Sequence, residues 1–187
     1  TLIGFEHILS GLDHLLFVFA LMLVVRSPRQ LVLAVTAFTV AHSITLALAT
    51  LGVIHVPGPP VEAIIALSIV FVAQEVIQRQ RGHAGLASRK PWLVAFAFGL
   101  LHGLGFAGAL AEVGLPHNAI PLALLFFNVG VELGQLAFIA AVLAVTALLR
   151  RLWRGALEPG WAIPLQAYLI GGVASFWLIE RIVAFWG

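Results

Sequence analysis

Six long apolar segments dominate the sequence, and each is long enough to cross a lipid bilayer as a helix. A membrane-spanning helix needs about 20 predominantly apolar residues, and the segments that meet this need are residues 5–25, 31–53, 61–78, 92–111, 119–148 and 163–186. Only helices and closed barrels satisfy the backbone polar groups in lipid, and these segments are too long and too uniformly apolar for barrel strands. We therefore predict an all-α integral membrane protein, a six-helix transmembrane bundle.

The composition excludes a water-soluble domain. Of the 187 residues, 61% are hydrophobic and 10% are charged, whereas a soluble domain carries about 25% charged residues. So short a chain cannot hide that much apolar surface in a core of its own. We expect one transmembrane domain over residues 1–187. Because the sequence starts at Thr1 rather than at a methionine, we also expect an upstream signal peptide or an extra domain to precede it.

Basic residues are concentrated in three of the five connections between the apolar segments. The connections after the second and fourth segments contain no Lys or Arg, whereas those after the first, third and fifth contain nine of the ten: Arg26, Arg29, Arg79, Arg81, Arg89, Lys90, Arg150, Arg151 and Arg154. The positive-inside rule then places the three basic connections in the cytoplasm and both termini outside. The sequence has no basic stripe with interleaved aromatic residues, the pattern typical of nucleic-acid binding, so we reject nucleic acid as a partner.

Ionisable side chains occur within several of the apolar segments. Each charge in a bilayer centre costs about 2.5–3.5 kcal/mol, so such residues mark a transport path or a binding site by default. Imidazole and carboxylate groups from separate segments can converge between the middle and the outer half of the bundle. We predict that a metal site forms there from His7, Asp13, His14, His42, His102 and Glu132.

The first segment leaves two geometries open for its histidines. His7 and His14 are seven residues apart and share one helix face, but a straight helix would separate them by about 10 Å along its axis. Either His7 captures ions above the site, or Gly11 permits a bend that brings the two rings together. Asp13 points away from His14 and serves either a neighbouring helix or a ligand as its hydrogen-bond partner.

Other polar residues form stripes on apolar helices. Asn128, Glu132 and Gln135 share one face of the fifth segment, and Ser68 and Glu75 are seven residues apart in the third. Taken singly, each is explained by hydrogen bonding between helices. Beside the predicted ligands, we interpret six of them as supporting polar residues: Thr39, Ser43, Ser68, Glu75, Asn128 and Gln135.

The predicted ligands restrict the metal and leave three functions open. Imidazole and carboxylate suit Zn²⁺, Ni²⁺, Co²⁺ and Cu²⁺, whereas Mg²⁺ and Ca²⁺ would favour more oxygen ligands. The absence of Cys and the single Met disfavour Cu⁺. The residues fit a divalent-metal permease, an intramembrane zinc-dependent hydrolase, or a non-enzymatic metal sensor or membrane subunit of a larger complex. The sequence has no H-E-x-x-H motif, the zinc-binding motif of many metalloproteases, which counts against the hydrolase.

Several of these motifs resemble a known family. The first-segment pattern His7…Asp13-His14, followed by Leu-Leu-Phe, resembles the first-helix signature of the HupE/UreJ family of nickel permeases, which are accessory to hydrogenase and urease. Residues 98–107 (FGLLHGLGFA) are similar to the second His-Gly signature of that family. Residues 39–46 (TVAHSITL) and 127–135 (FNVGVELGQ) are similar to motifs of its divergent second branch.

The resemblance implies a permease rather than an enzyme, in the bacterial inner membrane, with Ni²⁺ as the first substrate and Co²⁺ as the alternative. The ligand types leave Zn²⁺ open as a further alternative. One motif departs from the family pattern. Better-studied members carry a second His and a Glu just beyond the His-Gly pair, where this chain has Phe106 and Ala107; Glu132 is the candidate for the missing carboxylate. We expect lipid and a divalent metal ion as partners, and leave a second copy of the chain or a metallochaperone open.

Overall fold

The computed structural model describes residues 1–105, 120–152 and 160–186, and all regular elements in those ranges are helices. The helices are α1 (Leu2–Ser10), α2 (Leu12–Val24), α3 (Pro28–Thr50), α4 (Gly58–Gln80), α5 (Leu86–Arg89), α6 (Pro91–Gly105), α7 (Ile120–Leu152) and α8 (Ala162–Trp186). The end of the predicted fourth segment and the connections around 106–119 and 153–159 lie outside the described residues.

Four helices of the described chain are long and apolar enough to cross a membrane: α3, α4, α7 and α8. Helices α1 and α2 meet the same criterion only as a pair, which would bring the number to five, and α6 is apolar but shorter at 15 residues. The prediction of a helical membrane protein is thereby confirmed.

Proline residues set where the long helices begin. Pro28 and Pro91 open α3 and α6, and α4 carries Pro59 and Pro60 in its first turn. Proline is tolerated at these positions because the first backbone N–H groups of a helix have no partner within the helix. The apolar runs predicted from sequence thus start within a few residues of the observed helices.

The first predicted segment, residues 5–25, is not one helix. Its two halves, α1 and α2, are bent by 76° at Gly11, whose backbone is extended (φ −81°, ψ 92°). Glycine is a poor helix former, which favours a break here. A Cβ atom at Gly11 would also lie 2.8 Å from Nδ1 of His14. Of the two geometries left open for this segment, the structure has the bend.

Helix packing leaves a polar layer between two apolar clusters. The most extensive contacts pair α3 with α6, α4 with α8, and α1 with α7. The larger cluster joins α2, α3, α4 and α6 around residues such as Phe17, Phe38 and Ile69. The smaller cluster joins α1, α3 and α7 around Ile8 and Leu46. The predicted histidine ligands lie where these two clusters meet.

Candidate metal site

Three histidines from three helices meet at the bend between α1 and α2. His7 of α1, His14 of α2 and His42 of α3 each offer a ring nitrogen, and these nitrogens lie within 4.8 Å of one another. The ring centroids of His7 and His14 are 4.9 Å apart, although a straight helix would separate the residues by about 10 Å. His14 and His42 are buried, and His7 is half-buried.

His102 of α6 adds a fourth ring beside this cluster. Its centroid lies 5.0 Å from that of His14, and its side chain is buried. The neighbouring Gly103 explains the close approach of α6 to α3, because a Cβ atom there would overlap the His42 carbonyl oxygen and the Thr45 hydroxyl. The four histidines predicted from sequence are therefore brought together.

The hydrogen bonds of His42 leave one of its nitrogens for an ion. Nδ1 of His42 lies 3.1 Å from Oδ1 of Asn128, and the Asn128 amide nitrogen donates to the Leu124 carbonyl oxygen at 2.8 Å. The amide orientation is thus fixed by its own donor, so Oδ1 accepts from the Nδ1–H of His42. Nε2 then carries the lone pair, as a metal-binding imidazole requires.

Ser68 sets the tautomer of His102 in the same way. Its hydroxyl donates to the Ile65 carbonyl oxygen at 2.6 Å, so its oxygen accepts from Nε2–H of His102, 3.1 Å away. The lone pair of His102 is therefore on Nδ1. Asn128 and Ser68 thus act as the supporting residues that orient two of the predicted ligands.

Several buried ring nitrogens of these histidines make no hydrogen bond to the described residues. Within the described part of the chain, no partner reaches either nitrogen of His14, Nε2 of His42 or Nδ1 of His102. A buried polar atom without a partner is costly. Since the two nitrogens that the tautomers leave bare are among these atoms, the arrangement fits a cation held by neutral imidazoles.

Aromatic rings wall this cluster on its apolar sides. Phe38 and Phe127 lie nearly parallel to the His42 ring, with centroids 6.1 and 6.4 Å away. Phe17 and Phe38 contact His102 at centroid distances of 5.4 and 5.1 Å. These ring contacts hold the imidazoles in place on the apolar sides of the cluster.

Asp13 lies apart from the histidine nitrogens, at a cavity that leads to them. Its carboxylate forms an ion pair with Arg181 of α8, with Oδ2 and Nη2 2.8 Å apart. Asp13 and Arg181 line a cavity of about 520 Å³ together with Glu62, Trp177, His14 and His102. Sequence reasoning did not assign Arg181 to the site. The available signal was that it alone of the ten basic residues lies outside the three basic connections.

Glu132 of α7 also lies outside the histidine cluster. One of its carboxylate oxygens accepts a hydrogen bond of 2.6 Å from the Thr36 hydroxyl of α3. Next to it, Thr39 donates to Gln135 at 3.1 Å, and Ser43 donates to the Thr39 carbonyl oxygen at 2.6 Å. The Thr36–Glu132 and Thr39–Gln135 contacts join α3 to α7 and, with the His42–Asn128 pair, form a polar ladder between these helices.

Glu75 lies at the far end of α4 and contacts none of the histidines in the described residues. Its two carboxylate oxygens accept from the backbone N–H groups of Leu86 and Ala87, at 2.8 and 3.2 Å. The side chain is buried. Glu75 thus ties the start of α5 to α4.

The sequence profile of the family described as HupE / UreJ protein matches residues 1–181. A search of curated proteins and a search of solved structures each found no match.

Proposed function

This chain belongs to the HupE/UreJ protein family, a family of membrane proteins for nickel and metal transport or accessory roles, and from that premise we propose that it is a permease for a divalent transition metal. Ni²⁺ is the first substrate, and Co²⁺ and Zn²⁺ are the alternatives. The observation that carries the proposal is the cluster of His7, His14 and His42, whose ring nitrogens lie within 4.8 Å of one another.

The nitrogens of the three histidines are close enough to share one ion after small movements of the rings. A metal–imidazole bond is about 2.0–2.1 Å long, so two nitrogens on the same ion lie at most about 4.2 Å apart. The ring nitrogens of His7, His14 and His42 already lie within 4.8 Å of one another. This spacing supports a shared metal site, and the carrier role is proposed from the family.

The remaining predicted ligands are proposed to act in sequence along the path. Asp13 meets the ion at the cavity, the four histidines bind it next, and Glu132 lies on the polar ladder between α3 and α7. Asn128 and Ser68 orient the ligands through the hydrogen bonds to His42 and His102. Thr39, Ser43 and Gln135 are supporting polar residues beside this path, and Glu75 supports the packing of α5 against α4.

The proposed topology has six membrane crossings, with α1 and α2 counted together as the first and α6 within the fourth. Both termini are outside, and the three basic connections are in the cytoplasm. The bundle lies in the inner membrane of a bacterial cell. The support is the charge distribution of the connections. In this orientation the cavity lined by Asp13 and Arg181 opens to the outside.

Uptake into vesicles tests the transport function. We expect purified protein in proteoliposomes to take up Ni²⁺, and His14→Ala and His102→Ala to abolish this uptake. The control is His55→Ala, at an exposed residue of the second connection, which should transport like wild type. Co²⁺ and Zn²⁺ compete, and Mg²⁺ does not. Equal uptake in all four proteins, or none in wild type, contradicts the proposal.

Metal retention separates transport from the other functions. A carrier loses Ni²⁺ on dialysis, because its site is reversible. A catalytic zinc site keeps its ion through purification, and a hydrolase would turn over lipid or peptide substrates in the purified state. A sensor or complex subunit would bind metal and move none.

A further inference from the structure

Arg181 is held by acidic and aromatic groups from three helices. Besides the ion pair with Asp13 at 2.8 Å, its Nη1 donates to the Glu62 carbonyl oxygen at 2.8 Å, and its Nε lies 3.9 Å from the Glu62 carboxylate. The guanidinium also lies 5.7 Å from the centre of the Trp177 ring. Arg181 therefore joins α8 to the start of α2 and to the start of α4.

These groups share a cavity with the buried histidines. Asp13, Glu62, Arg181 and Trp177 line the cavity of about 520 Å³ that reaches His14 and His102. His14 is 8% exposed and His102 is 1% exposed. Both carry ring nitrogens that no hydrogen-bond partner reaches within the described residues. An ion that passes the two carboxylates thus meets nitrogen ligands directly behind them.

The cavity suits a cation that still carries its water. Six water molecules occupy about 180 Å³ at roughly 30 Å³ each, well within the 520 Å³ available. Carboxylate oxygens and water are the ligands of hydrated divalent cations. Two carboxylates and one guanidinium leave a net charge of −1 there, which favours a cation. Arg181 already pairs with Oδ2 of Asp13, so it competes with an entering ion for this carboxylate.

We propose that Asp13 and Glu62 form an outer site for a hydrated divalent cation, and that Arg181 is the internal cation that holds this site until an ion displaces it. The displaced guanidinium keeps its contact with Trp177. It returns to Asp13 when the ion moves on to the histidines. This outer site deepens the proposed transport function. The direction of ion movement, from the outer site to the histidines, rests on that function.

Substitution of Arg181 tests the competition. Arg181→Gln removes the competing charge, so the KM for Ni²⁺ uptake falls by about two- to fivefold, the range expected for a partly exposed ion pair. Arg181→Lys keeps a competing cation and restores a KM close to the wild-type value. Glu180→Gln, at the neighbouring exposed residue, changes the net charge by the same amount in the opposite direction. A general field effect would raise its KM, whereas competition at Asp13 leaves its KM at the wild-type value. An unchanged or raised KM in folded Arg181→Gln protein overturns the proposal.

Chemical labelling tests the same displacement without a substitution. Phenylglyoxal modifies free guanidinium groups, and peptide mass spectrometry measures its reaction at Arg181 in proteoliposomes with and without Ni²⁺. Ni²⁺ raises the labelling rate of wild-type Arg181 several-fold and leaves Arg26 unchanged. In Asp13→Asn, labelling is high without Ni²⁺. Equal or lower labelling of wild-type Arg181 in the presence of Ni²⁺ overturns the proposal.

His14→Ala separates this inference from the transport function. The variant loses Ni²⁺ uptake if the histidines carry the ion, yet Ni²⁺ still raises the labelling of its Arg181, because the outer site is intact. Wild-type uptake with no change in labelling rejects the outer site alone. Labelling that rises with Ni²⁺ in a protein that transports nothing rejects the permease and keeps the outer site.

Discussion

Oδ1 of Asn128 lies 3.1 Å from Nδ1 of His42, and this contact decides which His42 nitrogen is left for a metal. The Asn128 amide nitrogen is already engaged with the Leu124 carbonyl oxygen, so the amide cannot turn without losing a buried hydrogen bond. Metal-binding histidines commonly have their second ring N–H held by such an acceptor, which fixes the ring orientation.

Removing the Asn128 acceptor should weaken metal binding. Asn128→Leu keeps a similar side-chain size but frees the His42 ring to rotate and to change tautomer. We expect the Ni²⁺ affinity of the purified protein to fall by about 10–100-fold, measured by isothermal titration calorimetry in detergent. Gln135→Leu is the matched control, because Gln135 is also a buried α7 amide but contacts Thr39 instead of a histidine. An equal loss in both variants would show that the effect is general packing.

The bend at Gly11 is expected to be necessary for binding. Gly11→Ala favours a continuous helix by about 1 kcal/mol, and its Cβ would lie 2.8 Å from Nδ1 of His14. Either effect moves His7 away from His14, so we expect Ni²⁺ affinity to fall by more than about tenfold, as expected for a displaced ligand. Gly172→Ala is the control, since the added Cβ has no described atom within 4 Å beyond its chain neighbours and the backbone of its own helix. Unchanged affinity in Gly11→Ala would contradict a site that depends on the bend.

The helical membrane fold could be predicted because lipid imposes it on long apolar segments. Residues 31–53 and 61–78 correspond closely to α3 and α4. The bend between α1 and α2 could not be decided, because periodicity reports which residues share a face and says nothing about the straightness of the axis. A single glycine in an apolar segment fits a packed helix and a broken one equally well.

The histidines of the site could be predicted because imidazoles are rare in membrane segments. The partners that orient them could not be assigned, because one polar residue on an apolar helix fits many neighbours. Arg181 shows the limit most clearly: near a helix end it fits an interfacial ion pair with Glu180, whereas in the structure it contacts Asp13, 168 residues earlier in the chain.

The number of imidazole ligands on a bound ion shows directly whether the histidine cluster holds that ion. X-ray absorption of the Ni²⁺-loaded protein should show three or four histidine ligands, with Ni–N distances of about 2.1 Å. His42→Ala should lower the histidine number by about one, and His83→Ala, at an exposed connection residue, should leave it unchanged. A spectrum dominated by oxygen ligands in wild type would place the ion outside the histidine cluster.

Glu75 is expected to act on stability rather than on ion binding. Glu75→Leu leaves the N–H groups of Leu86 and Ala87 without their acceptors, and each such loss costs about 1–3 kcal/mol when buried. We expect a clear decrease in the Tm of Glu75→Leu in detergent. Glu75→Gln keeps one carbonyl acceptor, so its Tm should decrease less. The Kd for Ni²⁺ should stay within about twofold of wild type in both variants, since neither change touches a histidine or its partner. The loss of an anchoring hydrogen bond lowers Tm, whereas the loss of a residue on the ion path lowers uptake. A Glu75→Gln protein with wild-type Tm and abolished uptake would therefore place Glu75 on the route of the ion.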